Sequence, residues 1–332
     1  MKAYQLQKPK PVFENPLTPV DTQDPVPGEN DLLLRVRTCG ICRTDLHIVE
    51  GELALPRLPL IPGHQIIGTV EKTGSAVRQH KPGDRVGVPW LYRPCGVCQF
   101  CKSERENLCD NARFTGYHVD GGYAEYVVVE EEAAYQVPRL FSDVQAAPLL
   151  CAGVIGFRAL RLSEVKPGGR IGLFGFGGSA HIAIQILRHW GCEVYVFSRS
   201  PHHREFATEL GASWIGTAED HPPHLIDSAV IFAPAGQLVE SALRVLQKGG
   251  TIALAGIHMT PIPSLEYSLV YNERTIRSVA NSTRQDVRDL LELAGEIPIT
   301  TDVETFPLDD ANRALQLLKK SEFRGSGVLK MR

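Results

Sequence analysis

A chain of 332 residues exceeds what one hydrophobic core usually serves and calls for two domains of ordinary size. With 43% hydrophobic and 22% charged residues, a net charge of -3 and no long like-charge block, the composition is globular and sets nucleic acid aside as a partner. No apolar run reaches the roughly 18 to 20 residues that cross a bilayer, and the N-terminal MKAYQLQKPKPVFENPL has no apolar signal core, so no membrane partner and a cytoplasmic setting are expected.

The region up to Cys151 is rich in Gly and Pro. Short alternating apolar runs at 31–40 (DLLLRVRTCG), 66–74 (IIGTVEKTG), 84–90 (DRVGVPW) and 121–129 (GGYAEYVVV) give it an all-β texture. Interleaved with these are CGICRTDLH (39–47) and PGHQIIG (62–68), and Cys151 follows in LLCAG (149–153). Together they mix thiol and imidazole ligand types. Singly each is weak: a cysteine in an apolar run is usually a small buried hydrophobe, and a histidine on a tight turn equally suits a hydrogen-bonded surface residue. Spacing alone makes Cys39 and Cys42 look like a ligand pair and leaves open which of them binds.

Eight cysteines in a chain without an export signal point to metal or redox chemistry rather than disulfides. Four of them, Cys95, Cys98, Cys101 and Cys109, fall in PCGVCQFCKSERENLC as C-x2-C-x2-C-x7-C. Closely spaced cysteines on a turn wrap one tetrahedral zinc at low loop-closure cost. The loop-forming Gly96, Lys102, Ser103 and Glu104 leave this lobe little core of its own, so the metal would supply it. Iron–sulfur ligation and disulfide pairing are the weaker alternatives.

From about 152 to 282 the pattern changes. VKPGGRIGLFGFGGSAHIAIQILRHWGCEVYVFSRS reads as strand, glycine turn, amphipathic helix and strand. Gly175, Gly177, Gly178 and Ala180 form a G-x-G-x-x-A dinucleotide fingerprint. Its glycines suit a tight turn and close approach of a pyrophosphate to the helix N-terminus. Strands at SAVIFAP, TIALAGI and TIRSVAN continue a doubly wound parallel sheet, the Rossmann arrangement. The strand EVYVF then runs into Ser198, Arg199 and Ser200 with no acid. An acid there would repel a 2′-phosphate, so NADP(H) is favoured over NAD(H), with Ser198 and Arg199 as phosphate contacts. The tail from 283 to 332 carries helices around DVRDLLELAG and DANRALQLLKK and a final strand VLKMR. It is too short to fold alone and is expected to return to the first domain.

Read together and in this order, CGICRTDLH, PGHQIIG, the four-cysteine lobe, GYHVDGGYAEY, LLCAG, GFGGSAH and SVANSTRQDV resemble the zinc-containing alcohol dehydrogenases of the medium-chain dehydrogenase/reductase family over nearly the whole chain. The resemblance implies a discontinuous β-rich, GroES-like catalytic domain (1–151 with 283–332) beside the Rossmann domain, and two zinc ions per chain. Catalytic zinc ligands would be Cys42, His64 and Cys151, with Cys39 only packing nearby. Asp45 would stand behind His64, Arg43 would meet the cofactor pyrophosphate, and Thr44 and His47 would relay the proton. A homo-oligomer, dimer or tetramer, is expected, acting on an alcohol/aldehyde small molecule.

Three ligands leave zinc one open position, where it acts as a Lewis acid on an alcohol oxygen. Thr44 can accept the alcohol proton, and His47 has a pKa suited to passing it on. Two positions depart from the family pattern: Gln65 replaces a glutamate after the ligand histidine, and Ser198 replaces the acid of NAD-specific members. Trp90, Leu91, Tyr92 and Tyr117 are candidate pocket residues, set against the reading that aromatic residues after a strand are more often core, and a bulky indole beside the metal would favour primary alcohols. Reduction of an activated C=C bond on the same scaffold, or a zinc-stabilised cofactor sensor or scaffold, are the alternative functions.

Overall fold

The computed structural model describes residues 1–331. The chain forms two compact units. One comprises Met1–Cys151, Ser282–Glu296 and the chain from Thr301 on; the other comprises Ala152–Asn281 and Ile297–Thr300.

The second unit is a six-stranded parallel sheet. Its strands lie side by side in the order Trp214–Gly216, Glu193–Phe197, Arg170–Phe174, Ile226–Ile231, Leu246–Leu254, Thr275–Ser278. Counted along the chain this is 3-2-1-4-5-6, the Rossmann order, whose direction reverses between the strands ending at Phe174 and Ile231. The central strands are apolar almost throughout, as a sheet covered on both faces requires. Phe174, Tyr195, Ile226, Ile231 and Ile252 are fully buried, and the Phe174 and Phe197 rings stack 4.1 Å apart. Helix Gly178–His189 buries Ala180, Ile182, Ala183, Ile184, Ile186 and Leu187.

Ile297–Thr300 sides with this unit, so the tail does not return whole to the first one as the sequence suggested. The reason is local: the Gln185 amide brackets Thr300, donating to its carbonyl at 2.9 Å and accepting from its N–H at 2.8 Å.

The first unit is built on a largely antiparallel sheet, ordered Val303–Pro307, Ser326–Lys330, Asp31–Ile41, Ile66–Thr73, Arg85–Val88, Tyr135–Gln136, with Tyr126–Glu130 also pairing Asp31–Ile41. The expected strand at 121–129 begins only at Tyr126. The final strand ends at Lys330, and its expected last residue, Arg332, lies outside the described residues. Leu32, Leu34, Ile48, Leu60, Ile66 and Tyr123 are among the fully buried side chains of this core. Helices Arg284–Glu296 and Ala311–Lys319 occupy the tail. Helix Arg284–Glu296 is preceded by Thr283, whose hydroxyl accepts from the Asp286 N–H at 3.1 Å while the Asp286 carboxylate accepts from the Thr283 N–H at 2.8 Å. No single helix among the described residues is long and apolar enough to cross a membrane.

Candidate active site

Strand register assembles the first cluster. Cys39 lies opposite Ile66, and the Gly40 N–H reaches the Gln65 carbonyl at 2.9 Å, so Cys42 and His64 leave the same end of adjacent antiparallel strands. His64 follows a glycine whose φ is +99. A Cβ there would also lie 2.4 Å from the Tyr123 ring and 2.8 Å from Cys39 Sγ, so Gly63 is dictated twice. Cys151 arrives from a distant turn after the short helical stretch Ala147–Leu150. The three donor atoms converge: Cys42 Sγ to Cys151 Sγ is 3.7 Å and His64 Nε2 to Cys151 Sγ is 3.4 Å. Tetrahedral zinc with Zn–S near 2.3 Å and Zn–N near 2.05 Å requires about 3.8 Å and about 3.5 Å between such donors. The ambiguity between the two early cysteines is thereby resolved in geometry: Cys39 is fully buried between Gly63 and Gly122 and is not part of this group.

The electrostatics fit a cation. Asp45, with no exposed surface, holds His64 Nδ1 at 3.1 Å through one carboxylate oxygen, and the other accepts the Cys42 N–H at 2.8 Å and the Tyr123 hydroxyl at 3.3 Å. Asp45 thus closes a capping box with Cys42 at the start of helix Arg43–Glu50 and holds the histidine at the same time. Burial would lower the pKa of His64, but Asp45 and the Cys42 sulfur outweigh it and hold the imidazolium up to about 10. The hydrogen bond between the sulfurs drops Cys42 well below the usual thiol range and lifts Cys151 well above it. These directions favour a proton on His64 and on Cys151 over one on Cys42, and a divalent ion bound here would compete with those protons.

The second cluster is local. Cys95, Cys98, Cys101 and Cys109 bring their sulfurs together, with Cys98 to Cys101 at 3.5 Å and Cys95 to Cys101 at 3.9 Å. All four are free thiols, which removes the disulfide alternative. Backbone N–H groups of Val97 and Cys98 pull the Cys95 thiol down to about 6, as they would support a thiolate ligand. Desolvation and the Cys98 sulfur push Cys101 up to about 12. The apolar cluster beneath is small, with only Leu91, Cys109 and Ala112 buried in it.

The comparisons with known proteins agree. Residues 28–139 match the alcohol dehydrogenase GroES-like domain, and residues 178–296 match the zinc-binding dehydrogenase domain. A probable alcohol dehydrogenase, AdhA, of Mycobacterium tuberculosis is 45% identical over 99% of this chain and 97% of its own. The chain belongs to the zinc-binding alcohol dehydrogenases of the medium-chain family. It is an oxidoreductase of the alcohol–aldehyde pair that uses a nicotinamide cofactor. Among solved structures, a cinnamyl alcohol dehydrogenase from Sorghum bicolor superposes with a TM-score of 0.90 at 28% identity, covering 99% of this chain and 97% of that one. A structure titled CAD, from Helicobacter pylori and complexed with NADP(H), superposes with a TM-score of 0.87 at 25% identity, covering 99% and 97%. These relatives favour neither the C=C reductase nor the sensor alternative.

The other residues of this dehydrogenase singled out by sequence divide as follows. Thr44 is buried, with Oγ1 3.7 Å from Cys42 Sγ, and His47 lies one turn further along helix Arg43–Glu50. Arg43 is exposed and donates to Ser321 Oγ at 2.8 Å. Trp90 sets its ring edge-on to His64 at 4.8 Å and stacks on Phe114 at 5.0 Å, with Tyr117 at 5.8 Å. Leu91 and Tyr92 are corrected: Leu91 packs under the four-cysteine lobe, and the buried Tyr92 accepts the Glu130 N–H. Gln65 is buried against Gly40, where a Cβ would meet its amide carbon at 2.8 Å.

In the Rossmann unit, Gly175 has φ +89, and a Cβ would lie 2.9 Å from Ala233, at the point where strand order reverses. A Cβ at Gly177 would meet nothing within 4 Å, Gly178 opens the helix, and Ala180 is fully buried. Ser198 is buried with its N–H on the Gly216 carbonyl at 2.9 Å, Arg199 is exposed, and the Ser200 hydroxyl caps helix Pro201–Glu209. Sequence reasoning missed Phe114 behind Trp90 and Glu52, which contacts His47 Nδ1. The pattern holds no signal for the first, and an acid five residues after a histidine signals nothing by itself.

Proposed function

We propose that Cys42, His64 and Cys151 hold a catalytic zinc, that Cys95, Cys98, Cys101 and Cys109 hold a structural one, and that the enzyme oxidises primary alcohols, or reduces their aldehydes, with NADP(H). The observation that carries this reading is the donor spacing of 3.4 to 3.7 Å with Asp45 buried behind His64. A zinc ion held by the first set would supply Lewis-acid polarisation of the substrate oxygen. Thr44 Oγ1 accepts the hydroxyl proton, and His47 passes it to solvent. A nicotinamide cofactor, when bound, would supply the acceptor for the hydride that leaves the carbinol carbon as the carbon–oxygen double bond forms. Trp90 and Tyr117 wall the space beside His64. Their bulk disfavours branching at the reacting carbon and suits a planar, aromatic tail, the class named in the sorghum relative.

The absence of an acid after Phe197 supports NADP(H), and exposure leaves Arg199 as the group to meet a 2′-phosphate. Arg43, Gly175, Gly177, Gly178 and Ala180 serve the pyrophosphate end. A homo-oligomer fits as well: Tyr267 and Tyr271 are strongly exposed shortly before the sheet-edge strand Thr275–Ser278. The test compares kcat/KM for the two cofactors across a panel of aldehydes. A preference for NADP of about ten- to a hundredfold that shrinks in Arg199→Ala is expected. A native preference for NAD overturns the cofactor assignment.

A further inference from the structure

We infer that Glu52 is the positioning residue of the proton relay, fixing which nitrogen of His47 takes the proton. The inference rests on the reading of Thr44 and His47 as that relay. Helix Arg43–Glu50 stops at Gly51, in the left-handed region at φ +75, and the chain folds back around His47 itself. The N–H groups of Gly51, Glu52 and Leu53 all reach the His47 carbonyl, Glu52 at 2.9 Å. This helix stop turns the Glu52 carboxylate onto His47 Nδ1. The imidazole is largely covered, at 18% exposure, whereas the carboxylate is open at 47%.

The other charged side chains of the helix are engaged elsewhere. Asp45 serves His64, Glu50 pairs with Lys319 from helix Ala311–Lys319 at 2.6 Å, and Arg43 donates to Ser321.

An ionised carboxylate only accepts, so the contact assigns the N–H to Nδ1 and leaves the Nε2 lone pair as the proton acceptor. A proton arriving at Nε2 makes an imidazolium whose charge Glu52 offsets, and release from Nε2 to water restores the same tautomer. No bond to carbon forms and no electrons move, so the role of Glu52 is confined to the proton path. Without it the ring divides between two tautomers, one of which presents a filled N–H where an acceptor is required.

The experiment follows kcat for alcohol oxidation against pH in the zinc-loaded holoenzyme, His47→Gln, Glu52→Gln and the double variant, with 15N resonances of the His47 ring as a second readout. Glu52→Gln should lower kcat about three- to tenfold, a modest loss because the carboxylate is half exposed. It should move the profile in the same direction as His47→Gln, cost nothing further in the double variant, and lose the single-tautomer signature. Glu52→Asp should recover part of the rate. If His47→Gln changes the profile and Glu52→Gln does not, Glu52 has no part in the relay. If His47→Gln itself leaves the profile unchanged, the relay reading fails and the inference with it.

Discussion

Two histidines in this molecule have no exposed surface, and they are held in opposite states. His64, in the β-rich unit, is pushed up to about 10, while His181, on the first turn of the Rossmann helix Gly178–His189, is pushed down to about 4. Burial lowers both. The difference lies in what surrounds them: His64 has the buried Asp45 carboxylate and the Cys42 sulfur, whereas His181 has backbone groups of Gly177 and Gly178 and sits at the positive end of a helix dipole. One site is built around surplus negative charge, which suits a cation. The other keeps a neutral ring and leaves the helix N-terminus available to an anion.

The largest effect expected from this contrast is at the cation site. Cys42→Ser should cost about a thousandfold or more in kcat/KM, since loss of Lewis-acid stabilisation is worth several kcal/mol, and the Rossmann unit should keep its fold. Cys98→Ser breaks the other thiol set, whose small apolar cluster cannot replace it. It should lower the thermal midpoint first and leave turnover per folded molecule near native. Equal behaviour of the two variants would erase the distinction between the clusters.

The next effect belongs to His181. Its folded-state pKa is depressed from 6.5 to about 4, so the unfolded chain binds the proton more tightly. The stabilisation is complete above pH 6.5 and is lost as pH falls from 6.5 toward 4, by about 3 kcal/mol in all. Acid unfolding of His181→Asn should show a shallower decline across that window; a decline as steep as native would place the acid sensitivity elsewhere. The smallest effect is that of Asp45→Asn. It keeps shape and capping but removes the charge behind His64, and should weaken zinc affinity and activity by about ten- to a hundredfold. Unchanged metal affinity would mean that the negative surplus is not what makes the site a cation site.

The same contrast marks what the sequence disclosed. The Rossmann strand at Arg170–Phe174, its helix and the strand at Glu193–Phe197 were legible because a βαβ unit is written in consecutive residues, and the four-cysteine lobe was legible because its donors span one short loop. The three-donor group was legible only through the family resemblance, because its donors come from residues 42, 64 and 151, and residue spacing left open which early cysteine joins the histidine until the pairing of Cys39 with Ile66 set it. Leu91 and Tyr92 stayed open between pocket and core for a related reason. Adjacent aromatic and apolar residues look alike in sequence, and only the packing of the fold sets Trp90 beside His64, Leu91 under the four-cysteine lobe and Tyr92 against Glu130.

The most direct test of two different metal sites is metal content per folded chain, measured on the native protein, Cys42→Ser and Cys98→Ser. The account predicts about two zinc ions in the native protein and about one in each variant, with the inactive Cys42→Ser retaining the ion that resists chelation while the protein stays folded. One zinc per native chain, or a Cys42→Ser variant that keeps two ions and its activity, would contradict it.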